Sequence, residues 1–127
     1  MKKIFAVDDQ KDLLFTIKQV LEYYNKDYKV TTIDSGKKLF ALLKKDSPDL
    51  ILLDIMLPDI NGWEIFKKLK SNPEWKKIPV IFISSVADAT SKITAKTIAD
   101  DFIEKPFETE LLQRKIKYFL KNNISSN

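Results

Sequence analysis

Three carboxylates carry the most chemistry in this chain. Asp8 and Asp9 end the short apolar run Ile4-Phe5-Ala6-Val7, and Asp54 ends a second run, Leu50-Ile51-Leu52-Leu53. Apolar runs of this length, bounded by polar residues, read as buried strands. If the two strands are parallel, one edge of one sheet carries all three acids. That edge is where open α/β sheets place their ligands. Ser84 ends a third run, Val80-Ile81-Phe82-Ile83, and Lys105 follows a fourth, Asp101-Phe102-Ile103. The strand ends therefore collect acids, a hydroxyl and an amine.

Carboxylates brought together resist ionising unless a cation offsets their repulsion. A hard divalent ion, Mg²⁺ or Mn²⁺, does so with oxygen ligands, water and phosphate. Asp9 and Asp54 would be direct ligands, Asp8 direct or through water, and the backbone carbonyl of Met56 a further one. A carboxylate can also attack phosphorus to form an aspartyl phosphate, which nominates Asp54. The metal would then neutralise developing charge. Lys105 is a compact point charge suited to one phosphoryl oxygen, and the Ser84 hydroxyl suits another. Taken singly, each feature has an ordinary explanation: an Asp-Asp pair often caps a helix, and Lys-Pro is commonly a loop. Their agreement at successive strand ends is what points to phosphoryl chemistry.

Strand and helix patterns alternate along the chain to position these groups. The first strand is expected at about Lys3 to Val7. A helix follows with Leu13, Ile17, Val20, Leu21 and Tyr24 on one face. Tyr28, Val30 and Thr32 alternate with polar neighbours, as in a more exposed edge strand. Asp34 or Ser35 can cap a second helix carrying Leu39, Leu42 and Leu43. Pro48-Asp49 precedes the third strand, and the turn-rich loop Leu57-Pro58-Asp59-Ile60-Asn61-Gly62 leads to a third helix with Ile65, Phe66 and Leu69. Asn72-Pro73 ends that helix. A fourth helix is expected over 87–97, a fifth strand over 101–103, and a last helix with Leu112, Ile116, Phe119 and Leu120. The alternation implies right-handed crossovers and a parallel sheet covered by helices on both faces.

The bulk composition narrows the function. At 127 residues, with 44% hydrophobic and 31% charged residues, the chain suits one globular domain. The domain is placed at residues 1–121, with 122–127 a polar, fraying tail. The net charge of +4 comes from scattered lysines, with Arg114 the sole arginine. These lysines fall mostly on polar helix faces, so no nucleic-acid binding by this chain is expected. Lys115, Lys117 and Lys121 are read as a solvated face rather than a partner surface. Cysteine is absent, which removes thiolate metal sites and fits a reducing compartment. No run is long enough to span a bilayer, and Asp8-Asp9 interrupts the N-terminus too early for a signal peptide. A cytoplasmic location is expected. Histidine is also absent, so any phosphate must come from another protein's histidine.

With these residues in view, the chain resembles the receiver domain of response regulators along essentially its whole length. The likeness rests on Asp8-Asp9, on Asp54-Ile55-Met56-Leu57-Pro58-Asp59-Ile60-Asn61-Gly62, on Pro79-Val80-Ile81-Phe82-Ile83-Ser84-Ser85, and on Asp100-Asp101-Phe102-Ile103-Glu104-Lys105-Pro106-Phe107. The resemblance implies a flavodoxin-like three-layer sandwich with strand order 2-1-3-4-5. It implies a phosphoryl group on Asp54, received from a histidine kinase or phosphotransfer protein. Mg²⁺ would be held by Asp8, Asp9, Asp54 and the Met56 carbonyl, and Lys105-Pro106 would be cis. Ser84 and Phe102 take the positions of a hydroxyl and an aromatic that switch together. They would bias a protein-contact surface made by the fourth helix, fifth strand and fifth helix. Such a chain is a monomer or an activation-dependent dimer. It catalyses changes at its own Asp54 but is not otherwise an enzyme.

Several positions depart from the pattern. Ile98 stands where the family often has glycine, Ser85 replaces a commoner alanine or glycine, and Phe102 lacks the hydroxyl of a frequent tyrosine. Met56 and Val86, at positions that tune hydrolysis in the family, are apolar and cannot orient water strongly, so a long-lived phosphoryl group is expected. The length leaves no room for an output domain after the last helix, and the initial methionine argues against a receiver excised from the end of a hybrid kinase. Three alternatives are weaker. An aspartate-nucleophile phosphatase of the haloacid-dehalogenase type would carry a second acid where Met56 stands. A flavin-binding protein would carry a phosphate-cradling loop where Asp8-Asp9-Gln10 stands. An unphosphorylated scaffold would not keep the acids, hydroxyl and lysine intact.

Overall fold

The structure, a computed structural model, describes residues 1–85 and 101–125, of which 122–125 only by backbone. The helix expected over 87–97, Val86 and Ile98 lie outside the described residues. Five strands form one parallel sheet: β1 (Lys2–Val7), β2 (Tyr28–Ile33), β3 (Leu50–Asp54), β4 (Val80–Ser85) and β5 (Asp101–Lys105), in the order β2-β1-β3-β4-β5. The expected strand order is the observed one. Four described helices accompany them: α1 (Lys11–Tyr24), α2 (Gly36–Leu43), α3 (Gly62–Ser71) and the C-terminal helix α4 (Thr109–Ser125).

The period of two along each strand divides the apolar residues between two cores. Phe5, Val7, Ile51, Leu53 and Phe82 face α2 and α3, where Leu39, Leu43, Ile65, Phe66 and Leu69 meet them. Ile4, Ala6, Leu50, Leu52 and Ile81 face α1 and α4, against Leu14, Ile17, Leu21, Leu112, Ile116 and Leu120. Strands buried on both faces explain why β1, β3 and β4 read as continuous apolar runs.

Helix α1 sits differently from its expected register. Leu14, Ile17 and Leu21 are buried, whereas Leu13 is half-buried and Tyr24 exposed. The apolar residues of this helix cover more than one face, and only packing against the sheet selects the 14-17-21 stripe. On α4, Phe119 is likewise half-buried beside the buried Leu112, Ile116 and Leu120.

The third helix begins where Asn61 Oδ1 accepts from Trp63 N at 2.7 Å. Gly62 is required just there. A Cβ on it would lie 2.5 Å from the Asp54 carbonyl oxygen and 2.6 Å from Ile55 Cα, and its own N–H donates to Ile55 O at 2.7 Å. The helix therefore starts in backbone contact with the end of β3.

Candidate functional site

Residues leaving the carboxyl ends of neighbouring strands converge above the sheet. Asp8 follows β1 and is pinned by its own backbone, since Asp8 N donates to Ile33 O at 3.0 Å. Its Oδ1 accepts from Gln10 N at 2.9 Å, closing a turn into α1. Asp54 ends β3, pairs with Ile83 of β4, and accepts on Oδ1 from Met56 N at 3.3 Å. Lys105 ends β5, opposite Ser85, and the peptide to Pro106 is cis.

These groups meet. The Lys105 ammonium lies 2.7 Å from Asp8 Oδ2, 3.6 Å from Asp54 Oδ2 and 3.0 Å from Gln10 Oε1. One carboxylate oxygen from each of Asp8, Asp9 and Asp54 lies within 4.8 Å of the others. Asp8 and Asp54 are buried, while Asp9 is exposed. Burial and the nearby Asp8 charge push the Asp54 carboxyl up from 3.8 to about 6, with Lys105 and the Met56 N–H opposing and Asp9 adding to the rise. One lysine does not neutralise the acids, and the buried Asp54 bears the imbalance. The donor set is all oxygen, with carboxylates of low softness, and it fits a hard divalent cation such as Mg²⁺.

A cleft over this cluster is lined by Asp9, Gln10, Met56, Ser85, Lys105 and Phe107. Of the residues nominated from sequence, Asp8, Asp9, Asp54, Lys105 and Met56 thus gather at one place, with distinctions the sequence did not supply. Ser84 is fully buried, and its neighbour Ser85 is the exposed serine at the cleft. Phe102 is buried in the core layer that faces α2 and α3. The Met56 side chain stands out into solvent, 58% exposed. Val86 lies outside the described residues.

Two contacts were not anticipated. Gln10 shares the Lys105 ammonium, and its position directly after the acid pair is the one available signal. Asp59, in the loop after β3, accepts from Gly36 N at 3.0 Å and from Lys37 N at 2.9 Å. It caps α2 from the far side of the chain, alongside Ser35 Oγ, which accepts from Lys38 N at 3.2 Å. These backbone donors hold the Asp59 carboxyl below its ordinary range. A Cβ on Gly36 would meet Ile60 Cγ2, so the loop also packs closely on this helix start.

A parallel sheet in this order, with an acid cluster and a lysine at its carboxyl edge, is the architecture of a signalling receiver. The chain belongs to the response regulator receiver domain family, whose model matches residues 4–117. It is 36% identical over 121 residues to the response regulator SaeR of Staphylococcus aureus (strain USA300), covering 94% of this chain and 51% of SaeR. It is 33% identical over 115 residues to Protein RcaC of Microchaete diplosiphon, covering 90% of this chain and 17% of RcaC. The chain therefore spans about half or less of the length of these curated relatives. Among solved structures, the signal receiver domain of a signal transduction histidine kinase from Syntrophus aciditrophicus superposes with a TM-score of 0.87 at 28% identity, covering 96% of this chain and 92% of that one. Receiver domains take part in two-component signalling and interact with histidine kinases or phosphotransfer proteins. Among the described residues, no helix is long and apolar enough to cross a membrane.

Proposed function

We propose that Asp54 accepts a phosphoryl group from a histidine kinase or phosphotransfer protein, with Asp8, Asp9, Asp54 and the Met56 carbonyl holding Mg²⁺ or Mn²⁺. The observation that carries this reading is the gathering of three carboxylate oxygens within 4.8 Å, two of them from buried side chains, around the end of β3. When bound, the ion would neutralise the phosphoryl oxygens and the acids together. An Asp54 oxygen forms the new bond to phosphorus while the bond from phosphorus to the donor nitrogen breaks, its electron pair staying on the donor. Lys105, already between Asp8 and Asp54, offers its charge to a phosphoryl oxygen.

The Ser84 hydroxyl then serves as the switch contact, and Phe102 follows it into the space released. The output surface, read by a downstream protein, includes β5 and α4. In this reading the chain is a switch that acts on its own aspartate, in the cytoplasm, and turns over no separate substrate. The exposed Met56 thioether cannot align an attacking water, which supports a long-lived phosphoryl group.

Intact mass after incubation with acetyl phosphate and Mg²⁺ tests the proposal. One phosphoryl adduct is expected, dependent on Mg²⁺, absent in Asp54→Asn, and slow to decay in purified protein. An adduct that persists in Asp54→Asn refutes the acceptor assignment, and rapid decay refutes the role given to Met56. Failure of both acetyl phosphate and a phosphorylated histidine protein to modify the chain would leave it a scaffold.

A further inference from the structure

We infer that the ion pair Lys18–Glu22 on α1 closes the free edge of the sheet, and that without it two copies of this chain pair through β2. Strand β2 is the outer strand beside β1, so among the described residues one row of its backbone groups has no strand neighbour. The alternation of a parallel ladder identifies that row. Lys2 N donates to Asp27 O at 2.7 Å and Asp8 N to Ile33 O at 3.0 Å, so 27, 29, 31 and 33 turn toward β1. Tyr28, Val30 and Thr32 turn outward.

Val30, at the middle of this row, is covered by side chains of α1. Its N–H donates to Glu22 Oε2 at 2.8 Å, and its carbonyl accepts from Lys18 Nζ at 2.8 Å. The two side chains bond each other at 2.9 Å, closing the ring. Tyr28 N is also occupied, donating to Asn25 O at 3.2 Å. A partner strand needs successive outward groups, and occupation of Val30 breaks the row at its centre.

The polarity of the pair favours this role over simple helix support. On an isolated helix, Glu placed four residues before Lys is the better order, because it complements the helix dipole. Here Lys comes first. The reversed order puts the ammonium on the Val30 carbonyl and the carboxylate on the Val30 N–H, the only order that satisfies both. The strand itself, Tyr-Lys-Val-Thr-Thr-Ile, is rich in β-branched and aromatic residues and free of glycine and proline. Such a segment pairs readily when its edge is open. A twofold meeting of two such edges, antiparallel about Val30, would be self-complementary and closed, which selects a second copy as the partner.

The test exchanges the pair. Lys18→Glu with Glu22→Lys keeps a helix ion pair in the better order, but sets the carboxylate against the Val30 carbonyl and the ammonium against its N–H. In the absence of any phosphoryl donor, wild type is expected to remain a monomer by sedimentation from micromolar to millimolar concentration. The exchanged variant is expected to associate over that range. At low concentration its Val30 amide should exchange at least about tenfold faster than in wild type, and regain protection as the protein associates. Adding Thr32→Pro, which removes an outward donor while sparing the ladder to β1, should restore the monomer. A folded exchanged variant that stays monomeric overturns the inference, as does association indifferent to Thr32→Pro. If the exchanged variant does not fold, Glu22→Ala carries the test, and unchanged Val30 exchange in it refutes the clamp.

Discussion

Replacing Asp54 by Asn should stabilise the folded chain at neutral pH. The substitution keeps the shape of the side chain and an oxygen to accept from Met56 N, and it removes a buried charge beside Asp8. The carboxyl is raised from 3.8 to about 6 in the fold. Each pKa unit corresponds to about 1.4 kcal/mol, so ionising Asp54 in the fold costs about 3 kcal/mol relative to the unfolded chain. The opening of the cleft to water lowers the expected gain to roughly 2 kcal/mol, or on the order of 10 °C in Tm. The sign follows from the protons bound. Below the ordinary carboxylate range both states are protonated and the cost is absent. As pH rises toward 6 the unfolded chain ionises first, so wild-type stability falls; above that the deficit is constant. Urea denaturation of wild type and Asp54→Asn in chelator, from pH 3.5 to 8, measures this directly. The curves should meet at the acid end and separate through the window between 3.8 and about 6. Parallel curves, or a variant less stable than wild type at pH 7.5, would refute the assignment of the strain to Asp54.

Other outcomes follow from the same geometry. Mg²⁺ should raise the Tm of wild type at pH 7.5 by occupying the acid cluster, with the gain shrinking toward pH 5 as Asp54 takes up its proton; an equal gain in a variant carrying Asp9→Asn and Asp54→Asn would show that the ion binds elsewhere. Asp59→Ala should cost about 1 kcal/mol in denaturant by uncapping α2, and the wild-type advantage should fade as acid protonates the depressed carboxyl; amide exchange at Gly36 and Lys37 is the local readout. Gly62→Ala drives a methyl onto the backbone of Asp54 and Ile55, so a loss of about 3 kcal/mol is expected, together with slower phosphorylation because Asp54 is displaced. Wild-type stability and phosphorylation rate in that variant would mean that α3 can move away from β3 without consequence.

Much of this protein is decided locally and is visible in its sequence. The apolar runs ending in Asp8-Asp9, Asp54 and Ser84 are continuous because their strands are covered on both faces. A parallel sheet with short crossovers must bring their carboxyl ends to one edge. The acid cluster and its lysine were therefore legible, as were the strand order, through family resemblance, and the buried face of α3; on α2, Leu39 and Leu43 are buried as expected but Leu42 is half-buried. What the sequence left open depends on distances between groups far apart in the chain. Helix α1 carries apolar residues on more than one side, so only docking chose Leu14, Ile17 and Leu21 over Leu13 and Tyr24. Asp59 looked like a turn residue until the fold set it against the start of α2. Lys18 and Glu22 had the spacing of an ordinary helix pair, and their contact with Val30 exists only because α1 crosses the outer strand. The site itself shows the same division: sequence supplied the acids, and tertiary burial beside Asp8 raised the pKa of Asp54. Periodicity acts within one element, whereas burial and charge coupling are properties of the assembled layers, and only the assembled layers decide them.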